Sequence, residues 1–421
     1  MKPFYNLLTY LLLVPYAVYW LLRAILNRTY RDKLPQRFGY RFPKLQRSLW
    51  VHAVSVGEVV AAAPLIKELL RVYPEDPVLV TTVTPTGAAR VETLFGDSVA
   101  HAYIPFETPG AINRFFSRVR PRIALIMETE IWPNLYQGCG VRRIPLVLVS
   151  ARISPRSVDS YRKMLPLFRE TLSHGIVIAA QSEADAKRFV SLGASPERTR
   201  VTGNIKFDVE IPDDLPARGA AFRDSVLGRR PVWIAASTHE GEEAQVLDAH
   251  RALSERFPDL LLILVPRHPQ RFDSVRDLLE RRGEAWVSRT SGAACDATIR
   301  VYFGDTMGEV SMFYAASDIA FVAGSLVPIG GHNLLEPASL GVPILTGPHV
   351  FNAQEIADRF IEQEACRVVR DAAELASAVA DWLDDPAAAR RAGDSGRSIL
   401  EGNRGALERL LRLIQPLLDA R

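Results

Sequence analysis

The chain has 421 residues, enough for two domains of ordinary size, and its 48% hydrophobic and 24% charged residues exclude a disordered or low-complexity protein. A formal net charge of +3 lacks the strong basicity of a nucleic-acid binder, and no nucleic-acid partner is expected. Three widely spaced cysteines, Cys139, Cys295 and Cys366, form no CxxC or Cys/His group, which argues against a zinc module or disulfide framework and suits a reducing compartment.

The first element is apolar. Pro3 to Leu22 carry no charge, and about 20 apolar residues are what a helix needs to cross a bilayer. Tyr5, Tyr10, Tyr16, Tyr19 and Trp20 supply interfacial aromatics. Eight basic residues follow between Arg23 and Arg47 against the single acid Asp32, a net +7 in a chain whose total is +3. By the positive-inside rule this collar and the body after it lie in the cytoplasm, with anionic lipids as natural partners. No small-x-small cleavage site follows the run, which disfavours a signal peptide. Pro15, Asn6 and Thr9 leave open whether the helix spans the bilayer or lies in its interface.

The body alternates short β-rich runs with longer amphipathic runs, the pattern of parallel sheets covered by helices on both faces. Strands are expected at Leu49 to Val54, Val78 to Val83, Ile123 to Met127, Leu146 to Ser150 and Ile176 to Ala180. Between the first two, Ala62, Leu65, Ile66, Leu69 and Leu70 share a helical face, although Pro64 obscures where that helix begins. A polar, proline-bearing stretch starting at Phe207 reads as a linker. A second series then runs through Val232 to Ala236, Leu260 to Val265, Ile319 to Ala323 and Val342 to Leu345. The expected organisation is an anchor helix over 1–27, a Rossmann-like domain over 28–206, a linker over 207–230, a second Rossmann-like domain over 231–395, and an amphipathic helix over 396–421 that packs back on the body.

In open α/β sheets ligands bind beyond the carboxyl ends of strands, so chemistry is sought in the residues just past each strand. After the first strand, "SVGEVVAA" places Glu58 at a helix start. An acid there complements the helix dipole, and it is also a candidate general base whose pKa the dipole would lower. After "LIM" come Glu128 and Glu130, two apart and so on one face if the strand continues, with Trp132 and Pro133 as a rigid wall beside them. Lys206 in "VTGNIKFD" is either a solvated linker residue or a cation for a phosphate or carboxylate.

In the second half, "AASTHEGEE" sets Ser237, Thr238 and His239 at a helix start with N–H groups suited to an anion. "LVPRHPQRF" pins Arg267 and His268 between two prolines. "GDTMGE" contains Thr306-x-x-Glu309, a capping box whose backbone at Met307 and Gly308 could still meet a flat base. In "SLVPIGGHNLLEPASLGVP", Gly330 and Gly331 allow close backbone approach and a helix begins near Asn333 with Glu336 in its first turn, a seat for a nucleotide phosphate and ribose. No GxGxxG or GxxxxGK[ST] stands at a strand-to-helix turn, which disfavours a dinucleotide dehydrogenase and a P-loop NTPase. No HExxH, His pair or Asp-x-Asp offers a metal site, and no cofactor is expected.

Taken together and in this order, "SVGEV", "METEIWPN", "SARIS", "QSEADAKRF", "GNIKFD", "STHEGEE", "VPRHPQRF", "GDTMGE" and "GGHNLLEPA" resemble the bacterial 3-deoxy-D-manno-octulosonic acid (Kdo) transferases of lipopolysaccharide synthesis. The resemblance runs from the anchor to about Asn352. It implies a GT-B architecture, two Rossmann-like doubly wound domains facing a cleft, the first binding acceptor and the second a CMP-sugar. It also implies an enzyme at the inner membrane that moves Kdo from CMP-Kdo to the tetraacylated lipid A precursor with inversion. Carried over, Glu58 is the general base, and Glu128 and Lys206 stabilise the transition state. Pro266, Arg267, Met307, Gly308, Glu309, Asn333, Leu334, Leu335 and Glu336 would contact CMP. Two positions depart from the family pattern: Glu107 stands where Asp is expected, and Pro155 where an acid is more usual. A GT-B transferase using a different nucleotide sugar, or a non-catalytic membrane-anchored scaffold with a nucleotide fold, are the alternatives.

Overall fold

The computed structural model describes residues 2–162, 165–172, 175–209 and 211–419. They form two compact units, one of the residues up to Asp208 together with those from Gly405 onward, the other of Val209–Arg404.

The first unit opens with helix α1 (Lys2–Leu26). Its strands are β1 (Ser48–His52), β2 (Val78–Thr82), β3 (Ala100–Tyr103), β4 (Pro121–Met127), β5 (Leu146–Ala151), β6 (Val177–Ala180) and β7 (Thr199–Val201), in one sheet of order β3-β2-β1-β4-β5-β6-β7. Every pairing is parallel. β1 and β4 lie in the middle, which is why both are mostly apolar, with residues 123–127 apolar throughout: a strand covered on both faces needs no polar alternation. The strand order reverses between them, so the carboxyl ends of β1 and β4 border the crevice where such sheets hold ligands.

Helix α2 (Val56–Val72) is capped by Ser55 and carries Pro64 inside it. Val59, Ala62, Leu65, Ile66 and Leu69 are buried on one side of the sheet. The last helix, Ala406–Asp419, adds Leu410, Ile414 and Leu418 to that same core. Asp208 accepts hydrogen bonds from the backbone of Gly405 (2.9 Å) and Leu407 (2.8 Å), fixing where the helix starts. The expected single helix over 396–421 is therefore two: Pro386–Glu401 belongs to the second unit, and the first unit takes the rest.

In the second unit β8 (Val232–Thr238), β9 (Leu261–Pro266), β10 (Trp286–Ser288), β11 (Val301–Phe303), β12 (Ile319–Val322), β13 (Ile344–Thr346) and β14 (Cys366–Val368) make a parallel sheet of order β10-β11-β9-β8-β12-β13-β14. Here the order reverses between β8 and β12. Both units are thus doubly wound and Rossmann-like. Four strands, β3, β10, β11 and β14, were not expected, because each has three or four residues and lies toward a sheet margin where no long apolar run is required, whereas β7 is the short strand expected before Lys206.

The expected linker over 207–230 is largely folded. Leu215–Phe222 is a helix burying Leu215 and Phe222, and it runs on into a wider turn at Arg223–Leu227. A Cβ at Gly219 would lie 2.4 Å from that of Ala315, so glycine here permits close helix packing instead of breaking the helix.

α1 is not free of the body. Tyr16 stacks on Phe106 with ring centroids 4.1 Å apart. The Arg37 guanidinium is sandwiched between Trp20 (3.5 Å) and Tyr103 (4.1 Å), so this member of the basic collar is buried. Arg23, Arg31, Lys33, Arg41, Lys44 and Arg47 are exposed, as are Leu7, Leu11, Val14, Leu22 and Ile25 on the other face of α1.

Candidate functional site

In the first unit the crevice side chains come directly after β1 and β4. Ser55 caps α2, its Oγ accepting from the Glu58 amide (3.4 Å) and donating to Glu58 Oε1 (3.2 Å), while Glu58 Oε2 accepts from the Val54 amide (2.9 Å). This reciprocal arrangement is a capping box displaced by one residue, because Glu58 reaches the Val54 amide and not that of Ser55. Burial nevertheless pushes the Glu58 pKa up to about 7, and the neighbouring carboxylates of Glu128 and Glu130 push the same way against the Val54 and Ser55 hydrogen bonds. The expected lowering by the helix dipole is overturned, because desolvation outweighs it. A carboxyl near pH 7 suits proton acceptance better than an ordinary Glu.

Glu128 does not continue its strand. Its φ of +56° turns the chain at once after β4, so Glu128 and Glu130 are splayed and do not share a strand face. Glu128 Oε1 receives Lys206 Nζ at 2.5 Å, and Oε2 lies 3.7 Å from Arg152 Nε. Lys206 sits in the short turn Ile205–Phe207, its amide bound to Asn204 Oδ1 (3.0 Å), while the Ile205 amide donates to Ser150 Oγ (3.2 Å) at the end of β5. Lys206 is therefore held at the sheet and is not a linker residue. Glu130 accepts from Trp132 Nε1 (2.7 Å), and its pKa is raised by burial and by Glu128.

Two residues given no site role by the sequence matter here. Arg152, in "SARIS" directly after β5, reaches Glu128. Buried Glu107 accepts from the amides of Asn134 (3.1 Å) and Leu135 (2.9 Å), holding the N-terminus of the helix Pro133–Val141 that closes the acidic loop. Its pKa is pushed up to about 8 by burial, and the Tyr5 side chain hydrogen-bonds to it from α1.

In the second unit the turn after β8 is held from within by an acid of the helix that follows it. Glu242, fully buried, accepts from the amides of His239 (3.0 Å), Gly324 (2.7 Å), Ser325 (2.9 Å) and Leu326 (2.9 Å). One carboxylate thus ties the turn after β8 to the turn after β12. His239 and His332 stand at these two turns with their Nε2 atoms 2.9 Å apart, and the ring of His268 meets His239 edge-on at 5.3 Å. Arg267 is exposed at the end of β9, its amide bound to the Thr238 carbonyl (3.0 Å), and Pro266 before it is buried.

The Thr306-x-x-Glu309 capping box does not form. Gly308, at φ +82°, turns the chain, and the helix Val310–Ala315 starts only after Glu309. Thr306 Oγ1 instead donates to Glu309 Oε2 (2.5 Å), and Arg289 chelates the same carboxylate at 2.9–3.2 Å, holding its pKa low. Met307 is exposed beside it. The helix expected at Asn333 begins at Leu335 and spans only Leu335–Ser339, too short for a strong dipole. Asn333 Oδ1 accepts from the Leu335 amide (3.1 Å) and its Nδ2 donates to Glu336 Oε1 (3.1 Å). Glu336 Oε2 accepts from Ser311 Oγ (3.2 Å), which brings the Met307 to Glu309 turn beside the Asn333 to Glu336 turn. Leu334 and Leu335 are buried, so only their backbone is available to a ligand. Gly330 does not make room for a ligand: a Cβ there would lie 2.3 Å from Asn352 Nδ2 of the same unit. Among the described residues no group of three His, Cys, Asp or Glu side chains is placed to hold a metal ion.

Comparison with known proteins places residues 32–209 in the family described as 3-deoxy-D-manno-octulosonic-acid transferase (kdotransferase). The chain is 42% identical over 403 residues to the 3-deoxy-D-manno-octulosonic acid transferase of Haemophilus influenzae, covering 94% of each chain. It is 38% identical over 397 residues to that of Bordetella pertussis, covering 90% of this chain and 91% of the other. Among solved structures it is similar to the C-terminal CMP-Kdo binding domain of WaaA from Acinetobacter baumannii, at 36% identity and a TM-score of 0.43, covering 44% of this chain and 98% of that one.

Proposed function

Because the chain belongs to the 3-deoxy-D-manno-octulosonic acid (Kdo) transferases, a family of glycosyltransferases, we propose that it moves Kdo from CMP-Kdo to the tetraacylated lipid A precursor with inversion at the anomeric carbon. The observation that carries this reading is the Glu58 carboxyl, brought near pH 7 by burial and by its acidic neighbours at the crevice of the first unit. Glu58 accepts the proton of the acceptor hydroxyl as its oxygen bonds to the anomeric carbon, while the bond from that carbon to the CMP phosphate breaks and the electron pair leaves with the phosphate. Positive charge develops on the sugar and negative charge on the leaving group. The Glu128 carboxylate and the Lys206 ammonium, already paired, are of the signs those charges need. In the second unit Pro266, Arg267, Met307, Gly308, Glu309, Asn333, Leu334, Leu335 and Glu336 are assigned to the cytidylate.

α1 is long and apolar enough to cross a membrane. We assign it to the inner (cytoplasmic) membrane, with the body on the cytoplasmic side and the exposed basic residues on anionic headgroups. Its contacts with the body run from Tyr5 to Trp20, which supports a helix embedded along the interface more than one crossing the bilayer.

Incubating the purified protein with CMP-Kdo and lipid A precursor tests the reading. A product heavier by Kdo is expected, and a Glu58→Ala protein should bind CMP yet form none. Release of Kdo without any acceptor adduct would count against it.

A further inference from the structure

We propose that His239 and His332 are a proton-sharing pair that, with Arg267, forms an oxyanion subsite for the donor, an assignment that rests on the CMP-Kdo reading above. Two imidazole Nε2 atoms 2.9 Å apart, with rings 7° from parallel, can be joined only by one proton: two would repel, and none would set lone pair against lone pair. The pair is therefore a single donor–acceptor unit with room to take up one more proton when a negative charge arrives.

The fold is arranged around this pair. Glu242 clamps both turns through four backbone amides, including that of His239 itself. Gly324, at φ +70°, is the residue on which the His332 ring rests: a Cβ there would lie 2.7 Å from the ring, so only glycine leaves the histidine its place. The pair stands at the carboxyl ends of β8 and β12, the two strands between which the sheet order reverses, where a ligand is expected.

The groups facing the pair are mostly basic. From the end of β9 come Arg267 and His268, and from beyond Pro269 comes Arg271, itself bound to Glu243. The facing acid is Glu242, whose oxygens are already taken by amides. Burial, with His239, Arg267 and His268, keeps His332 down to about 4, and burial with His268, Arg267 and Arg271 lowers His239 against the pull of Glu242, so the unliganded pair is uncharged. An incoming oxyanion reverses that balance by supplying the missing counter-charge. The pair takes up a proton from solvent and then donates hydrogen bonds to the oxyanion, which stays ionised. Two parts of the donor carry such an oxyanion, the phosphate and the sugar carboxylate.

Calorimetric titration of CMP and of cytidine into the full-length protein at pH 7.5, in two buffers of different ionisation enthalpy, separates the cases. For wild type, CMP binding with uptake of about one proton is expected. His239→Gln and His332→Gln should each weaken CMP by at least about tenfold and abolish the uptake, leaving cytidine unaffected. If CMP binding is unchanged but KM for CMP-Kdo rises by a similar factor, the held oxyanion is the carboxylate. If both variants keep the wild-type melting temperature, CMP affinity and KM for CMP-Kdo, the proposal is overturned. Should a variant not fold, ring 15N shifts of the two histidines in the wild type decide: displacement by CMP or by CMP-Kdo supports the subsite, and indifference to both removes it. A wild type that binds no CMP and does not turn over CMP-Kdo would instead defeat the donor assignment itself.

Discussion

Lys206 Nζ lies 2.5 Å from Oε1 of Glu128, although 78 residues separate them in the chain. Both side chains are about one-sixth exposed, so neither charge is fully solvated and each depends on the other. The carboxylate of this pair also acts on Glu58, raising its pKa.

Replacing Lys206 by Ala should lower kcat by roughly 100-fold or more, the loss typical of removing one preorganised electrostatic group. Glu128→Gln gives a second reading. It removes a negative neighbour of Glu58, so the acidic limb of the kcat/KM profile should move to lower pH. Lys206→Ala leaves Glu128 less neutralised and should move that limb to higher pH. Shifts in the same direction for both variants would contradict the coupling.

Glu58→Gln should reduce turnover by about 100-fold to 10,000-fold, the usual worth of a general base. The wild-type kcat/KM should rise with pH through about 7, where Glu58 ionises. Its carboxyl holds its proton more tightly folded than unfolded. Stability from this group is therefore present below the unfolded value near 4.5 and is lost as pH rises through about 7. Melting curves at pH 5 and pH 8 should show a smaller decline for Glu58→Gln than for wild type.

Glu107→Ala leaves the Asn134 and Leu135 amides without their acceptor at a buried helix start. A loss of about 2–6 kcal/mol in denaturant unfolding is expected, at about 1–3 kcal/mol for each of the two unsatisfied groups. Because the Glu107 pKa is raised to about 8, the wild type should also lose stability as pH rises from the unfolded value near 4.5 through about 8, and Glu107→Gln should lose less over that range.

Glu242→Ala strips the acceptor from four backbone amides. The expected cost exceeds about 4 kcal/mol, which belongs to the rare severe class of single substitutions. Poor accumulation of the folded protein, with partial recovery in Glu242→Gln, is the measurable outcome.

Exposed Leu11 and Leu22 lie on the face of α1 turned away from the body, whereas Trp20 is packed under Arg37. Changing both leucines to Glu should release the protein from anionic vesicles in a flotation assay and leave its melting temperature unchanged. Trp20→Ala should do the reverse, lowering stability by about 3–5 kcal/mol.

The sequence alone determined the α/β class, the central strands of both sheets and the residues at their carboxyl ends, because a strand buried on both faces is mostly apolar and its end must turn. It also held the family resemblance, carried by nine short motifs in order. Tertiary structure decided what depends on atoms distant in the chain. The sign of the Glu58 shift was read from the local helix dipole and came out opposite, because burial and the acids after β4 are not local. Lys206 read from its own motif first as a solvated linker residue, with a cation in the crevice as the other reading, until the fold around the end of β5 set it against Glu128. Glu242 drew no assignment from its motif, yet it ties the turn after β8 to the turn after β12 through four backbone amides. His239 and His332, 93 residues apart, became a pair only when β8 and β12 lay side by side. Periodicity and turn chemistry report on neighbours along the chain, whereas desolvation, charge coupling and shared protons are set by which strand ends the sheet order brings together.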